Sequence, residues 1–529
     1  MTKTVIIGAG ASGLATAALL AREGHDVTVL ERSDAIGGRA GLFASRGFRF
    51  DTGPSWYLMP EAYEHFFALL GTSVAEQLEL TNLDPGYVVF TEPVDDEPKP
   101  AVVVPLGRRR VREVFEKRER GSGLRLETYL HSASRAHALA LSHFLYNPFT
   151  SWRWAADGEV LRAAWSMMRL LGTSLERFVA RRFRDPVLRQ ILGYPAVFLG
   201  TRPQDAPAMY HLMSALDLDR GVAYPMGGFN AIMERLASLA REAGATIVTG
   251  ADVSRIETTA DGRSRRVEGV RWRDGAGREH LTPADNVVSA ADLHHTETQL
   301  LESRDRSFGE RWWSHRTSGP GAVLVMLGVR GDLPQLAHHS LFFASDWREN
   351  FSAIFDAPTH VPDPASVYVC RPSATDPGVA PAGHQNLFVL VPVPADVAIG
   401  SGGADGSGDA TVEVVADRAI DQIAQWAGIP DLKERIVLRH TVGPADFARD
   451  FNSWQGGMLG PAHILRQSAM FRAGNASRKV RGLYYAGATV SPGVGVPMCL
   501  ISAELVLKHI RGDSSPGPIP ARVHAKMVS

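Results

Sequence analysis

The chain has 529 residues, more than one simple core accommodates, so two or more domains are expected. Lys and Arg number 56 against 57 Asp and Glu, so there is no global positive charge of the kind that binds nucleic acid. Two cysteines, Cys370 and Cys499, exclude a disulfide framework or a four-thiolate zinc site, and fit a reducing interior. No apolar run approaches the roughly 18–20 residues of a spanning helix. No signal peptide is expected, because the first strand begins at about residue 4.

Residues 4–31 read as strand, helix, strand. Thr4–Ile7 is a short apolar strand, Ser12–Glu23 an Ala/Leu-rich helix stopped by Gly24, and Asp26–Glu31 the second strand. From about 90 to 215 the texture is mostly helical, with Arg and aromatic residues interleaved. "GRRR" at 107–110 reads as a solvated loop. Residues 244–257 and 267–273 read as strands, and "NVVSAADLHHTETQLL" as strand, turn and helix. Several short strands follow in 320–395. By composition, 401–410 is a flexible surface loop and 513–529 a disordered tail. "GLYYAGATVSPGVGVPMCLISAE" (482–504) reads as strand, Gly/Pro loop and helix.

The loop Gly8, Ala9, Gly10, Ala11, Ser12, Gly13 is a G-x-G-x-x-G between a strand and a helix. Its glycines permit a tight turn and close approach of a pyrophosphate, which meets the free N–H groups of the helix start. Glu31 ends the second strand about 20 residues on, where an acid accepts from ribose hydroxyls. With Arg32 beside it, this is a dinucleotide site. Gly38 and Arg39 follow on a short loop, and an Arg there reaches a second phosphate or the flavin side. Gly53, Pro54 and Ser55 bring tight backbone toward an isoalloxazine. A simple NAD dehydrogenase has no use for that cluster.

Residues 8–60 resemble the FAD-binding opening of the amine oxidase/phytoene desaturase superfamily. "FDTGPSWYLMP", "AYPMGGFNAIMERLASLAREAGATIVTGADVSRIE", "NVVSAADLHHTETQLL" and the closing segment resemble, more narrowly, the bacterial carotenoid (phytoene) desaturases. The resemblance implies an α/β fold with a discontinuous Rossmann-like FAD domain (1–90, 222–300 and 441–512). It also implies a helical, membrane-facing segment (91–221) and substrate-binding strands (301–440). Val253 would face the adenine or be a plain buried strand residue. Gly487, Ala488, Gly495, Val496 and Pro497 would pass beside the flavin, with the closing helix N-terminus favouring negative charge on the reduced ring. Here the commoner desaturase wording Gly-Ala-Gly-Thr-His-Pro-Gly is replaced by Gly487-Ala-Thr-Val-Ser-Pro-Gly493, which loosens the expectation about substrate.

The implied reaction is desaturation of a carotenoid precursor, phytoene towards neurosporene or lycopene, with oxygen or a quinone as final acceptor. The flavin carries the redox chemistry, and no protein base or metal-ligand spacing stands out. His294 and His295 are adjacent, so they do not share a helix face, and a structural role is the favoured reading. The substrate would be a long apolar polyene taken from a membrane surface. Phe144, Phe149, Trp152, Trp154, Trp165, Met167 and Met168 lie among Arg135, Arg153, Arg162 and Arg169, a composition suited to the lipid interface. The expected location is the cytoplasmic face of the cell membrane. Alternatives are a carotenoid isomerase, a ketolase, a C30 desaturase, an amine oxidase, or a non-catalytic lipid-binding protein similar to the GDP dissociation inhibitors.

Overall fold

The computed structural model describes residues 1–521 except Asp96, Trp152 and Arg263, and the backbone but not the side chain of Arg153. Its first sheet has five parallel strands in the order Leu483–Tyr485, Asn286–Ser289, Lys3–Ile7, Asp26–Leu30, Thr246–Val248. The chain builds outward from Lys3–Ile7 on one side, then returns twice to fill the other. The strand order therefore reverses beside Lys3–Ile7, and a crevice opens past its carboxyl end, where open α/β sheets bind ligands. Helix Ala11–Arg22 covers one face, packed between helices Phe229–Glu242 and Val496–Arg511. Its small buried residues, Ala15, Ala17, Ala18 and Ala21, permit that double contact.

A second sheet has seven strands in the order Ile436–Val442, Gly321–Arg330, His384–Val393, Val367–Cys370, His339–Phe343, Tyr87–Thr91, Val102–Val104. Neighbours run antiparallel except Tyr87–Thr91 with His339–Phe343. Nine of the ten residues of Gly321–Arg330 are buried, because helix Ala410–Ala427 packs on one face and the helical segment on the other. Burial on both faces is why "AVLVMLGV" is continuously apolar rather than alternating. Strand Tyr87–Thr91, at the expected end of the first FAD-domain segment, lies in this second sheet. A third sheet, of Asp252–Asp261, Ser264–Arg273, Glu279–Pro283 and Val480–Arg481, flanks the first.

Three local expectations need correction. Residues 108–110 open helix Arg108–Arg118, with Arg110 paired to Asp84 at 2.6 Å and Arg108 bonded to the Glu127 carbonyl. Residues 401–410 are pinned: Gly402 N donates to Asp446 at 2.6 Å and Gly403 N to Thr441 at 2.9 Å, and a Cβ at Gly402 would fall 2.0 Å from the Thr441 carbonyl. The tail is docked as far as it is described. Lys508, fully buried, donates to the carbonyls of Tyr146, Ser515 and Gly517, while Ile519 N donates to Glu504 at 2.6 Å. The rest of the expected disordered tail, 522–529, lies outside the described residues.

Lys508→Met keeps the length but leaves three carbonyls without their donor. It should cost about 2–4 kcal/mol by the penalty for unsatisfied buried acceptors. Chemical denaturation measures the loss, and limited proteolysis should then cut within 513–520; an unchanged midpoint would contradict the docking.

Candidate functional site

One continuous cavity of about 700 Å³ runs from the first sheet to the helical segment. At its inner end lie Gly8, Gly10, Ala11 and Ser12. Helix Ala11–Arg22 has Gly10 at its N-cap and no side-chain cap, so the first N–H groups of the helix remain free there. Gly13 does not line the cavity: a Cβ on it would fall 1.9 Å from the Gly8 carbonyl, so its role is to let helix and strand approach. Ala9 is fully buried, and its N–H donates to Glu31 Oε2 at 2.6 Å. Glu31 Oε1 also accepts from Ser33 N at 2.9 Å. The acid thus fixes the loop geometry while bordering the cavity.

Arg32 lines the wall, and its Nη2 donates to the carbonyls of Arg449 (2.7 Å) and Asp450 (2.5 Å). These bonds brace residues 449–450. Arg39 differs. It is partly buried, its Nη2 donates to Ser453 at 2.9 Å, and its buried Nε has no partner among the described residues. Burial lowers its pKa and Asp292 opposes that shift. Gly38, Gly53, Pro54 and Ser55 line the same stretch, with Gly53 within 2.3 Å (from a built Cβ) of the Arg39 carbonyl. Val253 is both a buried strand residue, 8% exposed, and part of the wall.

The closing segment completes the enclosure. Gly487, Ala488, Gly495, Val496 and Pro497 all line it. Gly487 has φ +118° and sits so close to the opening helix that a Cβ would lie 3.0 Å from Ser12 Oγ. Helix Val496–Arg511 starts after Gly495 with no side-chain cap and Pro497 in its first turn. Two uncapped helix starts therefore face one cavity, each favouring negative charge. These starts, the glycine cradle and the orphaned Arg39 Nε fit FAD, with its diphosphate and its electron-accepting ring.

Several wall residues carried no local signal. Asp292, after strand Asn286–Ser289, accepts from His294 N at 2.8 Å and lies beside Arg39. His295 lines the wall, held neutral by burial with its pKa down to about 4, whereas His294 faces Glu310 and Trp313. Arg472, fully enclosed, donates to the carbonyls of Ala488 (2.5 Å), Val490 (2.9 Å), Pro461 (3.2 Å) and Gln467 (3.3 Å). It ties the closing loop to the segment carrying His463. The strand pair also brings His338, His339 and Cys370 within 4.8 Å, a metal-type grouping that the sequence spacing hid. Burial pushes the Cys370 thiol up to about 12 and both imidazoles down, so the group is neutral; His339 stacks on Trp56 in the cavity wall.

Beyond the dinucleotide half the wall is apolar, with Phe198, Leu324, Leu341, Phe343 and Met458. At the outer end are Phe144, Phe149, Trp154, Met167, Leu171, Leu465, Met470 and Phe471. Trp152, named with this aromatic group, lies outside the described residues.

The family model for flavin-containing amine oxidoreductases matches residues 11–506. A carotenoid 3,4-desaturase of Haloarcula japonica is 39% identical over 94% of this chain and 96% of its own. A zeta-carotene-forming phytoene desaturase of Myxococcus xanthus is 33% identical over 96% of this chain and 93% of its own. Among solved structures, an oxidoreductase from Methanosarcina mazei superposes with a TM-score of 0.59 at 16% identity, covering 96% of this chain and 100% of its own.

Replacing Arg39 by Met removes a charged donor group, an interaction of roughly 1.5–3 kcal/mol. Equilibrium FAD titration should therefore show about tenfold to hundredfold weaker binding, and Arg39→Lys should not restore it, because the ammonium lacks the planar fork. Wild-type affinity in Arg39→Met would contradict the assignment.

Proposed function

The chain belongs to the flavin-containing amine oxidoreductase family, in its carotenoid-desaturase branch, and is an FAD-dependent oxidoreductase acting on CH–CH bonds; from that premise we propose that it desaturates a linear C40 carotene, phytoene towards neurosporene or lycopene, drawn from a lipid surface. The observation that carries this reading is the continuity of the cavity. Its cofactor half runs without a partition into an apolar half that ends at exposed apolar residues. When bound, FAD supplies the acceptor for the electron pair of a breaking C–H bond. The two glycine segments would hold that group, and the apolar walls would exclude water and align a polyene.

The outer end supports membrane docking. In helix Gly158–Leu171, Leu161, Trp165 and Met168 stand at i, i+4 and i+7 and are 60%, 70% and 58% exposed. Met167 and Leu171 of the same helix turn into the cavity. Phe471, 57% exposed, and Met470 rim the opening. Arg162 and Arg169 flank the row and suit lipid phosphates. No described helix is long and apolar enough to cross a membrane, so the proposed contact is peripheral, at the inner face of the cell membrane. A lipid-soluble quinone or oxygen would then reoxidise the flavin.

A second reading is 3,4-desaturation of an already conjugated acyclic carotenoid. It is favoured by the 39% identity to the Haloarcula japonica carotenoid 3,4-desaturase.

Coexpression in colourless hosts making phytoene, and in hosts making lycopene, separates the readings by product chromatography. New conjugated products from phytoene support the first, products from lycopene alone support the second, and unchanged pigments with holoprotein present refute both. In sedimentation with anionic liposomes, Leu161→Glu/Trp165→Glu should lower binding at least about tenfold, by loss of apolar insertion. Equal sedimentation of both proteins would contradict docking through this helix.

A further inference from the structure

Desaturation releases a proton as well as an electron pair, and the proton needs an acceptor inside a dry cavity. Most titratable groups on the wall are committed. Glu31 accepts from two backbone N–H groups, and His137 Nε2 is bonded to Glu61. Asp292 Oδ1 accepts from His294 N and its Oδ2 has no hydrogen-bond partner among the described residues, but it lies beside Arg39 and follows the strand beside Gly8, on the dinucleotide side rather than the apolar half. Asp450 is paired with Arg449. Asp252 and His295 sit together at the Val253 end. Cys499 is a neutral thiol, pushed up to about 12 by burial.

His463 is different. Its ring lines the cavity, and Nδ1 lies 2.9 Å from the Leu199 carbonyl. A carbonyl only accepts, so Nδ1 carries the proton, and in the neutral ring Nε2 holds a lone pair. Nε2 has no hydrogen-bond partner among the described residues. It lies against the closing loop: a Cβ at Gly493 would fall 2.2 Å from it, so only glycine leaves room for the ring. Arg472 bonds both the loop and the Pro461 and Gln467 carbonyls on either side of this histidine, which fixes their separation. Burial, then the nearby Arg472 charge, keep the imidazole well below its ordinary pKa, hence unprotonated and available at neutral pH.

We propose that His463 Nε2 accepts the proton released in desaturation. The assignment rests on the desaturase reading above. One C–H bond would break, its hydrogen passing together with the bonding electron pair to the bound flavin. On the neighbouring carbon the second C–H bond breaks, its pair becomes the new C=C bond, and its proton binds Nε2. As the electron pair leaves beside a double bond, allylic positive charge develops and makes the adjacent C–H strongly acidic, so proton loss and flavin reduction proceed together. A weakly basic imidazole therefore suffices. The same Arg472 charge favours release of the proton afterwards.

The test is anaerobic flavin reduction by phytoene or lycopene in liposomes, whichever the wild type consumes, expressed per bound FAD. His463→Asn keeps a donor toward the Leu199 carbonyl but has no lone pair at the Nε2 position. Its rate should fall about 100-fold or more, the usual scale for losing a positioned base. FAD content should be unchanged. His463→Ala should regain rate with added imidazole. A His463→Asn rate within threefold of wild type overturns the proposal, as does a loss of activity that tracks FAD loss with unchanged rate per flavin. If neither variant retains FAD, absence of a primary isotope effect in wild type, with substrate deuterated at the proton-losing carbon and hydrogen at the other, removes the need for a positioned acceptor. A wild type that reduces its flavin with neither carotene contradicts the desaturase reading instead.

Discussion

The site depends on the placement of strand Asn286–Ser289, which pairs in parallel with Lys3–Ile7 on one edge and Leu483–Tyr485 on the other. Without that strand, the opening glycine loop and the closing helix would have no common frame. With it, Gly487 is brought against Ser12, and the two uncapped helix starts open into one cavity. The free N–H groups at those starts are costly to leave unsatisfied, so an anionic, hydrogen-bonding cofactor completes the protein as well as its chemistry.

The same return path explains the division of labour. Between its visits to the first sheet the chain builds a second sheet buried on both faces, and one of those faces walls the apolar half of the cavity. Helix Gly158–Leu171 turns Met167 and Leu171 toward the cavity and leaves Trp165 exposed on its outer side. If the proposed membrane docking holds, a substrate that prefers lipid to water would not have to cross an aqueous gap.

Much of the cofactor half was legible because its signals are local. Gly8–Gly13, Glu31 and Arg39 lie within one β–α–β unit and its following loop, and the 487–497 segment announces itself by strand, glycine loop and helix. Arg472, Asp292 and His463 were not legible. Each acts through partners distant in sequence, such as Leu199 for His463, and none sits in a spacing that local chemistry requires. Composition misled at two loops for a related reason. Residues 401–410 and 513–520 are rich in Gly, Ser and Pro, yet Asp446, Thr441, Lys508 and Glu504 satisfy their backbones from elsewhere. Arg108 and Arg110 looked like part of a solvated run because the Glu127 carbonyl and Asp84, which receive their side chains, are remote in sequence.

The central claim is that one cavity brings FAD and a linear carotene together for removal of two hydrogens per turn. The most direct measurement is a single turnover without oxygen or quinone, mixing FAD-loaded protein with excess carotene in liposomes and counting both reduced flavin and new double bonds. The account predicts one new double bond for each flavin reduced, with the flavin staying reduced until an acceptor is added. Double bonds formed while the flavin remains oxidised, or flavin reduced with no new double bond, would contradict it.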